Sequence, residues 1–224
     1  MLVIAVDTAT PAVTAGVLLL PEEGGEPELL AECVTVDAKA HGELLAPHLR
    51  DAARDAGVRL AEVDAVVCGI GPGPFTGLRA GMVTAGALGH ALGVAVYPVC
   101  SLDALAATVA PGEPLLVATD ARRREVYWAS YDAAGTRVEG PRVCAPAALA
   151  ERLPELGVVA AGQGAALYAE VLGLPVLDGG YPTAAGLVAV AAADLRAKAE
   201  PGPLTPLYLR RPDAVVPGAR KRVS

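Results

Sequence analysis

The chain opens with an unbroken apolar run, residues 2–7 (LVIAVD), ending in an aspartate. A short continuous run of this kind reads as a buried strand. Residues 12–20 (AVTAGVLLL) form a second such run, Pro, Glu and Gly fill a turn over 21–27, and residues 28–36 supply a third strand. The period then changes. Leu44, Leu45, Leu49, Ala52 and Ala56 recur at helical spacing, which predicts a helix over 43–56 closed by Gly57. Pro47 lies inside that pattern and should kink the helix or sit in its first turn. Residues 63–70 (VDAVVCGI) read as a further buried strand, followed by a glycine-rich loop, a helix over 76–92, a strand over 94–97 and a helix over 101–109. Pro111 to Pro114 breaks the pattern and divides the chain into two expected domains, 1–110 and 111–224. Beyond the break, strands are expected at 115–119, 125–132 and 138–144. Helix 146–153, strand 157–161, helix 164–172, strand 174–177 and helix 183–199 complete the second half.

Both halves therefore run three strands and then alternate helix with strand. The order βββαβαβα is that of an RNase H-like domain. Two in tandem predict an α/β fold of actin-like ATPase architecture, each half a mixed sheet flanked by helices. The repetition rests on element order, not on identity between the halves.

Composition changes the picture in two ways. The 224 residues are 53% hydrophobic but only 4% aromatic, so Ala, Val, Leu and Gly must build the core. The net charge of −7 disfavours tight independent binding to a phosphate backbone. Two basic clusters run against that balance: Arg122, Arg123 and Arg124, and a tail with Arg210, Arg211, Arg220, Lys221 and Arg222. Both fit solvated faces; both also fit contacts to RNA held mainly by another subunit. Cys33, Cys68, Cys100 and Cys144 form no CxxC pair, which argues against a zinc knuckle. The N-terminus has no basic region or cleavage site, and no apolar stretch reaches the length of a membrane span. A soluble cytoplasmic protein without a membrane partner is expected.

The most informative stretch is Gly71 to Gly81, GPGPFTGLRAG, which follows a buried strand and opens a helix. Such a junction can bind an anion on its free N–H groups, making Asp7, Gly71, Gly73 and Thr76 possible anion or nucleotide contacts. The stretch lacks the lysine of a P-loop, and its two prolines remove donors that a phosphate cradle would use. A rigid structural turn is the competing reading. In the helix that follows, Gly77, Gly81, Ala85 and Gly89 recur every four residues. Gly81, Gly86 and Gly89 inside a helix cost roughly 3 kcal/mol against alanine, so close backbone approach must offset them. The strip either packs internally, against the sheet or the 43–56 helix, or forms a surface groove for a partner helix. Arg79 could meet a partner's carboxylate or phosphate, or pair within the chain.

Other combinations are weaker. Asp7 ends the first strand, where actin-like ATPases place a metal-linked acid, but Thr8-Ala9-Thr10-Pro11 after it lacks the glycine that lets backbone approach a phosphate. His41 and His48 are two turns apart, roughly 10 Å along a helix, too far for one metal. His90, Ser101 and Asp103 lack a GxSxG elbow, and Ser101 reads better as a helix N-cap.

The segment GPGPFTGLRAGMVTAGALGHALGVAVYPVCSLDALA closely resembles the GPGSFTGLRIG region of the TsaB (YeaZ) family, with Pro74 where serine is common. VIAVDTAT at the start, HGELLAP at 41–47, Asp120-Ala121-Arg122-Arg123 with Glu125-Val126-Tyr127, and Pro206-Leu207-Tyr208-Leu209-Arg210 resemble further segments of that family. The resemblance implies a non-catalytic subunit without cofactor or metal. It implies support of a TsaD-type catalytic subunit, with a TsaE-type ATPase, in transferring a threonylcarbamoyl group onto an adenosine of tRNA. A homodimer when alone, and tRNA contact only within the complex, are also implied. Helices of the first domain would carry the partner interface, here Leu44, Leu45, Leu49, Gly77, Arg79, Gly81, Ala85 and Gly89. An autonomous actin-like ATPase or kinase is the alternative, with Gly162-Gln163-Gly164 as its only hint of a second phosphate loop. A peptidase is a third reading.

Overall fold

The structure is a computed structural model that describes residues 1–109, 112–153 and 159–210. Two ends of the expected domain boundary, the beginning of the strand expected at 157, and Arg211, Arg220, Lys221 and Arg222 of the basic tail lie outside the described residues.

Three strands open the chain, β1 (Leu2–Asp7), β2 (Ala12–Leu19) and β3 (Glu28–Val36), followed by helix α1 (His41–Asp55), β4 (Ala65–Gly69), α2 (Phe75–Leu92), β5 (Ala95–Val99) and α3 (Ser101–Val109). They build a sheet of order β3-β2-β1-β4-β5. β1 and β2 pair antiparallel, from Leu2 opposite Leu19 to Asp7 opposite Thr14, while β4 and β5 add in parallel.

The second half repeats this plan with β6 (Leu115–Asp120), β7 (Val126–Tyr131), β8 (Arg137–Cys144), α4 (Pro146–Ala150), β9 (Val159–Ala161), α5 (Gln163–Leu167), α6 (Ala169–Leu172) and α7 (Ala184–Ala197). Its sheet order is β8-β7-β6-β9, with β9 parallel to β6. The strand expected at 174–177 survives as a single parallel bridge, Val176 to Ala160. That bridge occupies the place that β5 holds in the first sheet, so the fold is a duplicated α/β unit of RNase H-like topology. The helix expected over 164–172 is broken at Tyr168, whose backbone (φ −116°, ψ 25°) leaves helical geometry.

Alternation along β1 sends Ile4 and Val6 to one face of the first sheet and Val3 and Ala5 to the other. The first face is covered by α1 and α2 through Leu45, Leu49, Ala52, Met82 and Ala85. The second is covered by α7, whose Ala184, Leu187, Val188, Ala191 and Leu195 pack on Leu18, Val67 and Val99. By chain order α7 falls in the second half, yet its apolar face lies on the first sheet. Small residues make that docking close: a Cβ on Gly16 would stand 2.4 Å from the Ala184 Cβ, and one on Gly186 would stand 2.1 Å from the Ala104 carbonyl of α3. Helix α3 is shared, giving Ala104 to the first core and Leu102, Leu105 and Ala106 to the core of the second sheet. Among the described residues no helix is long and apolar enough to cross a membrane.

Candidate functional site

The junction of β1, the glycine loop and α3 is tied together by the chain itself. Asp7 is fully buried at the end of β1. Its carboxylate accepts from the Ala9 N–H (2.8 Å) and from the Ser101 hydroxyl. The same hydroxyl accepts from the Gly71 N–H at 3.2 Å. Ser101 is therefore not the N-cap that its position before LDALA suggested; it ties β1, the glycine loop and α3 together. A Cβ on Gly69 would fall 1.8 Å from the Asp7 carboxylate, and one on Gly73 would fall 2.1 Å from the Ala9 carbonyl. Burial pushes the Asp7 carboxyl up to about 6, against the lowering effect of Ser101, Ala9 and His41. Of the four possible anion contacts, Asp7, Gly71 and Gly73 are buried in this knot, a correction to their reading as ligand-facing. Thr76 is exposed and borders a cavity of about 190 Å³ with Thr8, His41, Asp120 and Arg122.

The small-residue strip of α2 faces the same knot. Gly77, Gly81, Ala85 and Gly89 are all buried. A Cβ on Gly77 would stand 2.5 Å from the Thr8 carbonyl, one on Gly81 2.3 Å from Thr8 Oγ1, and one on Gly89 2.3 Å from a Val96 methyl. The Thr8 hydroxyl donates to the Gly77 carbonyl at 2.7 Å. Of the two readings left open, internal packing is the one the geometry holds, and these four positions present no open groove. Leu45 and Leu49 are core residues, and Leu44 is half-buried. The open side of α2 carries Thr76, Val83, Ala87, His90 and Ala91, with Val83 69% exposed. Beside it, α1 exposes Glu43, Ala46, Arg50 and Arg54. Sequence reasoning missed this outer stripe because α2 is apolar all round, so periodicity alone cannot say which face is the core. The steric need for glycine at Gly77 and Gly81 was the available signal for the inner face.

Arg79 is engaged within the chain. Its Nε donates to the Tyr208 hydroxyl (3.0 Å), and its guanidinium lies 5.7 Å from the Phe75 ring centre and 5.9 Å from that of Tyr208. Tyr208 belongs to an extended segment, 203–210, that crosses from one half to the other. Leu204 packs beside Gly86 of α2, and the Leu207 N–H donates to the Ile70 carbonyl. Arg210 then donates to the Ala121 carbonyl (2.9 Å) and pairs with Glu125 (2.8 Å) on the β6–β7 hairpin. That hairpin holds Arg122, Arg123 and Arg124 in the left-handed region, with φ of 64°, 53° and 62°. Each such non-glycine residue costs roughly 1–2 kcal/mol. The Asp120 carboxylate helps to hold the turn by accepting from the Arg122 N–H at 2.8 Å.

The remaining titratable groups are divided among separate partners. His41 Nε2 meets the Thr10 carbonyl (2.7 Å), whereas His48 Nε2 meets the Thr35 hydroxyl (2.9 Å). Asp103 accepts from Tyr131 and pairs with Arg137, so it is not directed at Ser101. Cys68 and Cys100 are buried free thiols, and burial pushes both above the usual range, Cys100 to about 11.

A family model described as TsaD, tRNA N6-adenosine threonylcarbamoyltransferase, matches residues 28–194. An uncharacterised protein of Mycobacterium tuberculosis is 54% identical over 213 residues, 95% of this chain and 93% of the relative. The tRNA threonylcarbamoyladenosine biosynthesis protein TsaB of Haemophilus influenzae is 27% identical over 181 residues, 75% of this chain and 74% of its own length. Among solved structures, YeaZ from Pseudomonas aeruginosa superposes with a TM-score of 0.75 at 30% identity, over 93% of this chain and 99% of that one. With the GPGPFTGLR loop and the duplicated topology, these matches show that the chain belongs to the TsaB (YeaZ) family, within the wider family that the TsaD description names.

Proposed function

We propose that the chain acts in tRNA threonylcarbamoyladenosine biosynthesis as a non-catalytic subunit. It supports a TsaD-type catalytic subunit, working with a TsaE-type ATPase, and it pairs with itself when that partner is absent. Family membership supports the pathway. One observation carries the supporting role: the Asp7 knot. At the position where this architecture would place phosphate and metal, Gly73 is against Ala9, and Asp7 is bonded to Ala9 and Ser101. The cavity left between the glycine loop and the β1–β2 turn, about 190 Å³ at Thr8 and Thr76, is not lined by Asp7, which argues against the ATPase and kinase alternative. The peptidase alternative loses its acid, since Asp103 serves Tyr131 and Arg137.

The docking surface we assign is the outer stripe of α2 around Val83 and Ala87, flanked by the charged outer side of α1. It presents short side chains on a helix whose inner side is fixed to the core by Gly77 and Gly81, so a partner helix would meet a rigid backbone. Contact with tRNA belongs to the assembled complex, because a net charge of −7 opposes binding by this chain alone. The cytoplasm, where tRNA is found, is the corresponding compartment. Co-purification of the chain with a TsaD-type subunit tests the reading. A stable complex is expected with the wild type and none with Val83→Arg, and a complex unaffected by that substitution would refute the assigned surface.

A further inference from the structure

The first sheet ends on β3, which among the described residues pairs with β2 alone. β3 is the longest strand described, nine residues (ELLAECVTV) without proline, lysine or arginine, and its one register shift lies near its start. An outer strand offers a row of unused N–H and C=O groups, which chains ordinarily blunt with proline, basic residues, bulges or short length. The other outer strands described here are blunted in that way. β5 has five residues and Pro98, β9 has three residues, and β8 carries Arg137, Pro141, Arg142 and two register shifts. Apolar exposure gathers at the unblunted edge. Of the eleven large hydrophobic residues exposed among those described, five lie on β2 and β3: Leu19, Leu29, Leu30, Val34 and Val36. The register sorts them by face. Leu29, Val34 and Val36 stand opposite Leu18, Thr14 and Ala12. Leu18 belongs to the core under α7, and Thr14 bonds the Pro182 carbonyl just before that helix, so these three lie on the α7 side. Glu32 stands between them and is already engaged, accepting from the Ala184 N–H at 2.7 Å. At the start of the strand, Glu22, Glu23, Glu26 and Glu28 are all exposed, with no lysine or arginine among residues 21–28. Arg196, which reaches this turn, gives its donors to the Pro21 and Gly25 carbonyls.

We propose that the free edge of β3 takes an extended segment of another protein, apolar at alternate positions and ending in lysine or arginine, as an added antiparallel strand. Main-chain bonds to the edge hold such a segment, and its alternating side chains decide which segment is accepted. Running antiparallel, it brings its C-terminal end to the Glu28 end of β3. Its cations there meet Glu22, Glu23, Glu26 and Glu28, while its apolar residues pack on Leu29, Val34 and Val36. A second copy of this chain suits the edge less well. Pairing β3 with β3 sets an acidic strand beside an acidic strand in a molecule of net charge −7. The edge belongs to a different element from the α2 outer stripe, and it can fail while that surface stands.

The test is fluorescence anisotropy of the full chain with a labelled synthetic peptide, TVTVTVKRK, blocked at both ends. Saturable binding is expected. Two control peptides should each bind about tenfold more weakly: TVTVTVEDE, which reverses the charge of the end, and TVTPTVKRK, which loses a strand N–H. Val34→Lys should weaken the first peptide about tenfold, because it puts a cation and no apolar surface at the centre of the edge. Val138→Lys, at an exposed position of β8, should leave binding unchanged. Melting temperatures of both variants separate lost binding from lost fold, and Val34 is exposed enough for its variant to fold. Absence of saturation at millimolar peptide, or binding by folded Val34→Lys equal to wild type, would overturn the proposal. Equal binding of the acidic-ended peptide would overturn its charge preference. Sedimentation of the chain alone decides the rival occupant: a dimer that Val34→Lys abolishes would assign the edge to a second copy and overturn the proposal. Tighter peptide binding after replacement of Arg220, Lys221 and Arg222 by serine would assign it to the chain's own tail, with the same consequence.

Discussion

Asp7 shows what the closed junction costs and how it can be measured. Its carboxyl is pushed from an ordinary value of 3.8 to about 6 by burial. The folded chain then holds the proton more tightly than the unfolded chain does. Asp7 therefore favours folding below the unfolded value, and that contribution is lost as pH rises through the folded one. The window is about pH 4 to 6, and the loss is on the order of 3 kcal/mol. Asparagine keeps the shape without the charge. Asp7→Asn should gain on wild type by roughly 2–3 kcal/mol between pH 4 and 7 in urea unfolding, and a difference that stays constant with pH would contradict the account. At Gly81 the sign of a second prediction follows from the contact with Thr8. Leucine there has no room, so Gly81→Leu should destabilise by about 1–3 kcal/mol or more, read as a lower melting temperature. Wild-type melting with lost partner binding would restore the groove reading. Both residues were singled out in the sequence, but their directions were not legible there. GPGPFTGLR announces a tight loop; that Gly73 closes on Ala9 and Ser101 on Asp7 depends on residues 64 and 94 positions away, which no local pattern encodes.

At the scale of elements, α2 has two apolar faces with different duties. The inner one needs glycine because the β1–β2 turn and Val96 lie against it. The outer one leaves Val83, Ala87 and Ala91 in solvent. Val83→Arg and Ala87→Arg should each leave stability within about 0.5 kcal/mol while lowering affinity for a TsaD-type subunit at least about tenfold. Calorimetric titration alongside thermal melting checks both. The strands and long helices were readable because their periods are strong: β1, β2, β3 and α1 fall within a residue or two of their expected limits. The second half was harder. Val176 sits in the expected last strand but makes one bridge, and Tyr168 breaks a run that reads as continuous helix. Helix α7 was found where expected in sequence, yet the layer it joins is set by Gly16 and Gly186, whose role is visible only once Ala184 and Ala104 approach them.

Across the whole molecule, the described residues join the two sheets through shared α3, returning α7, and the 203–210 segment that ends on the β6–β7 hairpin. The last is the most easily loosened. Arg210→Ala removes a partly buried ion pair and a charge-assisted bond to Ala121, and should cost about 1.5–3 kcal/mol in chemical denaturation. The charge balance opposes independent RNA binding, and the duplicated order made the architecture legible. Neither could locate the free edge of β3, because the order of strands is set only when the sheet assembles. The central claim, that this chain supports catalysis without performing it, is tested most directly by reconstitution. Threonylcarbamoyladenosine formed on tRNA is measured with a TsaD-type subunit, a TsaE-type ATPase and the threonylcarbamoyl adenylate, with and without this chain. The account predicts product only when the wild-type chain is added, none from the chain alone, and a large loss with folded Val83→Arg. Product formed by the isolated chain, or an undiminished rate when the chain is left out, would contradict it.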